Sequence, residues 1–301
     1  MNTGLQILGS IALAAIPALI WGYIFYAKQK GKKVFSLMTF LVGAFSVFPI
    51  LLYKFSWQFI PSINAFRVAD FYKDDMIGIS NVMMIPVSVV ITFMIVGIIE
   101  EIMKMFSVKF IDDDEIKDID DSIEFFIIAA LGFSFMENIL YFYNIWIANG
   151  ASNLFIPFMF RSSFSTFAHI MFSGVFGYYY GIAHFAKPIL QKELKGKRWH
   201  WINVLHRVFG FSREKMFHEE KLLEGAFIAI TLHALFNVML EMNWTFLIFP
   251  FLAAGYMVLS HMFNDKENQK KYGKVMRHVR NHPHPVSKMH FKRKALNSKM
   301  V

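Results

Sequence analysis

Four stretches of the sequence place ionisable or amide side chains among apolar neighbours. They are Glu100, Glu101 and Lys104 in EEIMK, Glu137 in FSFMENILY, His169 ahead of a run of small residues, and His233 with Asn237 in HALFN. An ionisable group near a bilayer centre costs roughly 2.5–3.5 kcal/mol on insertion scales, so such groups face protein or a water cavity. On a helix, residues four apart share a face, which sets Glu100 above Lys104, Glu137 above Tyr141 and His233 above Asn237. These residue types supply what amide hydrolysis needs: a carboxylate to activate water, and His or Asn to orient it or to hold the oxyanion. Glu101, Glu137, His169 and His233 are equally a set of oxygen and nitrogen ligands for zinc, which would itself acidify a bound water. The residues leave these two chemistries open. The candidate catalytic set is Glu100, Glu101, Glu137, His169, His233 and Asn237, supported by Lys104, Asn138 and Tyr141.

The elements that must position these groups follow from composition. The 301 residues are 55% hydrophobic, with 35 Phe and 19 Met, above the roughly 45–50% apolar content of globular domains. The apolar residues form runs at Leu5 to Ala27, Val34 to Tyr53, Val82 to Lys109, Ile123 to Ala148, Pro157 to Phe185, Leu223 to Glu241 and Trp244 to Phe263. Each is near the ~20 residues that a spanning helix needs. The expected fold is an all-α transmembrane bundle of about seven spans. Lys28, Lys30, Lys32 and Lys33 follow the first span and nothing basic precedes it, which predicts an uncleaved span with the amino terminus outside and the carboxyl terminus cytoplasmic. The long loop from Lys187 to Lys221 is rich in Lys and Arg, whereas the connections near Asn149 and Asn243 have neither. The orientation thus agrees with the span count.

Three regions are expected: residues 1–81 with two spans and an external interfacial segment, a five-span core at 82–263, and a basic cytoplasmic tail at 264–301. Lys54 to Ser80 reads as that interfacial stretch or a short lid, Asp112 to Asp121 as a solvated acidic loop, and Phe209 to Lys221 as an amphipathic surface piece. The net charge of +9 sits in loops and tail with no recognition motif, which argues against nucleic acid and for an anionic cytoplasmic leaflet. Glu124, Glu224, Glu241, His184 and His261 lie near span ends, and the tail histidines, His278, His282, His284 and His290, read as part of the basic tail. With no cysteine, disulfides, Cys metal sites and Cys nucleophiles are excluded.

In the fifth span Ser165, His169, Ser173, Gly177 and Gly181 form one stripe, and small residues at this spacing let helices approach closely. His169 is therefore expected to face the interior. At ~1.5 Å per residue, Glu137 and Asn237 lie roughly 20 Å from the cytoplasmic ends of their spans, His233 roughly 15 Å, His169 roughly 25 Å and Glu101 roughly 10 Å. One cavity open toward the cytoplasmic half would collect them all.

No HExxH helix, GxSG serine or GxGD aspartate is present. The order and spacing of EEIMK (Glu100 to Lys104), FSFMENILY (Phe133 to Tyr141), His169 to Gly181 and HALFN (His233 to Asn237) resembles the PrsW-type intramembrane proteases, relatives of the CAAX prenyl endopeptidase and bacteriocin-immunity superfamily. The CAAX branch has EExxxR and a histidine in the second motif. Lys104 one place earlier and Glu137 in place of that histidine favour the PrsW branch. The resemblance spans Val82 to Glu241 and implies a membrane-embedded endopeptidase of the bacterial cytoplasmic membrane. It further implies Glu100 and Glu101 as essential, one of them as base, with Glu137 and His169 holding water or a metal. His233 and Asn237 would complete the site. A single-pass anti-sigma factor is the substrate that the resemblance implies. The rival readings are a proton- or cation-coupled transporter, for which internal repeats and broken helices are missing, and a non-catalytic relative that binds peptide or lipid.

Overall fold

The computed structural model describes residues 3–26, 33–79, 83–112, 115–195 and 210–267. Lys28, Lys30, Lys32, the central part of the long basic loop and the tail from 268 onward, with its four histidines, lie outside the described residues.

A chain in lipid must satisfy its own backbone polar groups, so each apolar run folds as a helix. In chain order these are α1 (Thr3–Tyr26), α2 (Lys33–Phe45), α3 (Val47–Ser56), α4 (Arg67–Asp70), α5 (Val87–Asp112), α6 (Ile119–Asn149), α7 (Phe155–Phe160), α8 (Thr166–His184), α9 (Ala186–Lys195), α10 (Arg213–Glu241) and α11 (Thr245–Glu267). A π turn, Arg161–Ser165, joins α7 to α8. Five stretches are long and apolar enough to cross a membrane: Thr3–Ile24, Lys33–Ser56, Ile119–Asn149, Arg213–Glu241 and Thr245–Met262. The other two expected spans are α5, 26 residues long, and α8, 19 residues long. In α5 three charges, Glu100, Glu101 and Lys104, fall within one span's length, and in α8 His169 and three tyrosines lower the mean hydropathy. The protein is an all-α membrane helix bundle.

Three boundaries differ from expectation. The third span begins at Val87, because Met83–Pro86 form a strand, β2, paired antiparallel with β1, Met76–Ile79. Residues 213–221 are no separate surface piece but the first turns of α10, capped by Ser212, whose hydroxyl accepts the Lys215 N–H at 3.2 Å. Helix α6 starts four residues before the apolar run, at a cap where the Asp118 carboxylate accepts the Asp121 N–H at 2.9 Å. Such a cap satisfies an otherwise orphaned donor and contributes about 1 kcal/mol.

Helix α6 is the centre of the bundle and touches α1, α2, α5 and α8, while α10 packs on α5 and α8. The small residues of α8 face α6, as their stripe predicts. A Cβ on Gly177 would stand 2.8 Å from the Ile123 Cα, and the Ser122 hydroxyl donates to the Gly177 carbonyl at 2.7 Å. On the opposite face of α6 a Cβ on Gly132 would stand 2.0 Å from the Phe40 carbonyl oxygen of α2. Phe125, Phe126 and Phe133 of α6 and Phe172 and Phe176 of α8 are all fully buried, with the rings of Phe126 and Phe176 5.1 Å apart. The result is a rigid frame around the polar residues.

Candidate functional site

Helices α5, α6, α8 and α10 each turn their polar residues toward a common centre. Lys104 Nζ lies 2.7 Å from Glu101 Oε1 and 3.0 Å from His169 Nδ1. Glu101 Oε1 also meets His233 Nδ1 at 2.9 Å, and its Oε2 accepts the Ser173 hydroxyl at 3.1 Å. His169 Nε2 meets Glu137 Oε2 at 3.0 Å, and Arg161 Nη2 stands 2.8 Å from that same oxygen. Finally His233 Nε2 is 3.6 Å from Glu100 Oε2, beyond hydrogen-bond range. Arg161, Glu137, His169, Lys104, Glu101, His233 and Glu100 thus form one continuous chain of neighbours.

The partners assign the protons. An ammonium only donates, so Nδ1 of His169 accepts from Lys104, and its Nε2 carries the proton that is donated to Glu137. A carboxylate only accepts, so Nδ1 of His233 carries the proton donated to Glu101; in the neutral ring this leaves a lone pair on Nε2. That lone pair faces Glu100 Oε2, a buried oxygen without a hydrogen-bond partner. Two acceptors are thereby held side by side, and a proton or a cation between them would satisfy both. The charge balance gives the same result. With all three ionised, Glu100, Glu101 and Glu137 would set three negative charges against the two positive charges of Lys104 and Arg161. In an apolar bundle the excess favours uptake of positive charge.

Glu100, His169 and His233 offer ligand atoms that all lie within 4.8 Å of one another. Tetrahedral zinc separates its ligands by roughly 3.3–3.5 Å, so these three fit the ion if they draw in by about an ångström and one ring nitrogen of His169 gives up its bond to Lys104 or Glu137 for the metal. Of the four expected ligands, His169 and His233 stand in this group. Glu101 instead spends both oxygens on three donors, and Glu137 is paired with His169 and Arg161. Glu101 holding the far nitrogen of His233 is the carboxylate–histidine arrangement that fixes the tautomer of a metal ligand. Aromatic rings wall the centre: Phe172 stacks on His233 with centroids 5.1 Å apart, and Lys104 Nζ lies 4.7 Å from the centre of Phe133.

The polar centre is sealed at its Glu101–Lys104 end and partly exposed at its Glu137–Arg161 end. Glu101 and Lys104 have no exposed side-chain surface, and Ser173 is likewise sealed. Glu137 is 33% exposed and Arg161 12%, beside Tyr141, toward the end where α6 meets α7. Of the three carboxylates of the centre, Glu137 is thus the most exposed.

The supporting residues divide in the same way. Asn138 is buried; its Oδ1 accepts from Arg161 Nε, and its Nδ2 lies 3.4 Å from Thr166 Oγ1. The Tyr141 ring lies 4.5 Å from the guanidinium carbon of Arg161. Asn237 is half-buried one turn beyond His233 and makes no hydrogen bond among the described residues. Two participants escape a reading of the four motifs. Arg161 is the one Lys or Arg between Asn149 and Phe185, so the criterion of charge inside an apolar run points to it. Ser173 belongs to the stripe of small residues, where its packing role hides the hydroxyl.

Comparison with known proteins bears on this geometry. The family model described as PrsW family intramembrane metalloprotease matches residues 31–262, a longer stretch than Val82 to Glu241 and one that includes α2 and most of α11. Protease PrsW of Halalkalibacterium halodurans is 25% identical over 258 residues, covering 83% of this chain and 93% of its own. Protease PrsW of Geobacillus kaustophilus is 28% identical over 181 residues, covering 58% and 67%. No solved structure matches. With the family model covering most of the described helices, and the four motifs meeting in one polar centre, the chain belongs to the PrsW family of intramembrane proteases.

Proposed function

We propose that the chain hydrolyses peptide bonds of membrane-anchored proteins at the polar centre of α5, α6, α8 and α10, as a multi-pass protein of the bacterial cytoplasmic membrane. The observation that carries this reading is the pair of facing acceptors, His233 Nε2 and Glu100 Oε2, beside an accessible carboxylate, Glu137. Such a pair selects positive charge, and a base within reach of it can activate water. About seven spans with the amino terminus outside, and a core at 82–263, complete the proposed topology. A single-pass anti-sigma factor is the substrate class we carry forward from the family resemblance.

The roles follow from who is already engaged. Glu101 orients His233, and Lys104 balances the charge of Glu101 while it fixes His169. Both oxygens of Glu101 and the ammonium of Lys104 already have partners, and neither side chain has exposed surface, so the base is sought elsewhere. Glu137 has one oxygen held by His169 and Arg161 and the other without a hydrogen bond among the described residues, in a side chain that is 33% exposed. It accepts the proton of the attacking water and returns it to the leaving amine. Asn237, one turn beyond His233, donates to the substrate backbone. Zinc held by Glu100, His169 and His233 would supply a Lewis acid and an acidified water.

Metal analysis of the purified chain, paired with cleavage of a membrane peptide, tests the reading. Stoichiometric zinc that is lost together with activity in His233→Ala supports the metal form. Cleavage by a metal-free chain places a proton between Glu100 and His233 instead. Undiminished cleavage in both Glu100→Gln and Glu137→Gln would reject the site.

A further inference from the structure

We propose that Arg161 is a further catalytic residue, whose guanidinium donates to the carbonyl oxygen of the scissile peptide bond as that oxygen gains negative charge. The inference rests on the hydrolytic reading above and adds the oxyanion donor that this reading lacks. Three features of Arg161 carry it.

Arg161 is fixed before any substrate arrives. Its Nε donates to Asn138 Oδ1, its plane lies against Tyr141, and its backbone carbonyl, at the start of the π turn, accepts both the N–H and the hydroxyl of Thr166. A donor held this way needs no reorganisation when charge develops, which is what makes an oxyanion site effective in a dry interior. π turns inside helices are frequent at functional sites. Arg161 also has unused donors. Its Nη2 stands 2.8 Å from Glu137 Oε2 without the alignment of a hydrogen bond, and it is buried without another partner. Finally, it is the cation at the open end. Lys104 is sealed and committed to Glu101 and His169, so Arg161, 12% exposed, is the cation of the centre with surface to offer an incoming carbonyl.

The step balances as follows. Water gives a proton to the open oxygen of Glu137, and its oxygen forms a bond to the carbonyl carbon. The carbonyl π pair moves onto oxygen, where the Arg161 N–H groups hold it. The C–N bond then breaks as the pair returns, and the amine leaves with the proton from Glu137.

The test uses the full chain in lipid nanodiscs with a mass-coded set of synthetic single-pass peptides, followed by a phosphinic analogue of whichever peptide is cut. Arg161→Gln is expected to lower kcat by about 10²–10³-fold with KM nearly unchanged, and to weaken the phosphinate by a similar factor but not the parent peptide. Arg161→Lys recovers part of both. A rise in KM at unchanged kcat, or equal phosphinate affinity in Arg161→Gln, would overturn the proposal. Should Arg161→Gln fail to fold, Asn138→Ala, which loosens the guanidinium but keeps it, must lower kcat and phosphinate affinity together; failure to do so also overturns it. A wild-type chain that neither cuts a peptide nor binds a phosphinate would reject the hydrolytic reading itself.

Discussion

The two ends of the polar chain are built from the same parts and behave differently. At the closed end Glu101 pairs with Lys104 at 2.7 Å with neither side chain exposed, and the cation lies over Phe133. At the open end Glu137 pairs with Arg161 at 2.8 Å, the carboxylate is one-third exposed, and the cation lies over Tyr141. Each pair reaches a face of His169. The difference lies in what is left over. Both oxygens of Glu101 are filled by Lys104, His233 and Ser173, whereas Glu137 keeps an oxygen and Arg161 keeps donors for a visitor. A buried ion pair adds little net stability, yet removing one partner strands the other. The closed end is therefore suited to holding geometry and the open end to changing protonation and charge.

Breaking the closed pair tests this most severely. Lys104→Met leaves the Glu101 carboxylate enclosed without a counter-charge, at a cost of about 3–5 kcal/mol, read from unfolding of the purified chain in mild detergent. The double variant with Glu101→Gln removes both charges and should recover most of the loss. An unchanged midpoint in the single variant would show that the closed end holds no charge pair. At the open end the cost should appear in rate instead. Glu137→Gln is expected to lower cleavage by about 10²–10⁴-fold while the unfolding midpoint stays close to that of wild type. Equal loss of stability at both ends would erase the distinction.

The two ends also differ in how well the sequence foretells them. Apolar runs locate the spans, because hydropathy reports the bilayer. It does not report the helix, so the polar first turns of α6 and α10 extend beyond the runs. The β1–β2 hairpin is hidden, since MMIP continues directly into the apolar α5 and has no alternation to mark it as a strand. Convergence of the four motifs follows from face and depth. What the motif EE cannot convey is that its two members differ: successive residues are rotated by about 100°, which turns Glu101 into three donors and leaves Glu100 with an orphaned oxygen. Which end is sealed was equally hidden, because it depends on Lys104 lying against Phe133 and on Ser173 bonding Glu101 across two helices. Arg161 was visible as a charge in an apolar run but belongs to no motif.

A milder change sharpens the closed end. Ser173→Ala removes one donor from Glu101 and leaves that oxygen short of a partner. A hydrogen bond to a charged group contributes about 1.5–3 kcal/mol, and the loss should register in the same unfolding measurement. Metal content should be less affected, since His233 and Lys104 still hold the carboxylate in place. A variant as stable as wild type would mean that Ser173 serves packing alone.

The smallest effect is expected from Tyr141→Leu at the open end. The ring backs the guanidinium from a partly exposed position, where a cation–π contact is worth about 0.5–1 kcal/mol. Leucine keeps the apolar contact with the Arg161 stem but not the attraction to its charge. Because Asn138 still anchors Nε, Arg161 should lose definition without being released, and kcat should fall by about two- to fivefold, which is that energy expressed as a rate ratio. Stability should barely move, as no buried group is stranded. Tyr141→Phe retains the ring face and should restore the rate. If the phenylalanine variant is as slow as the leucine variant, the Tyr141 hydroxyl acts on the substrate, and the open end holds a third polar participant beside Glu137 and Arg161.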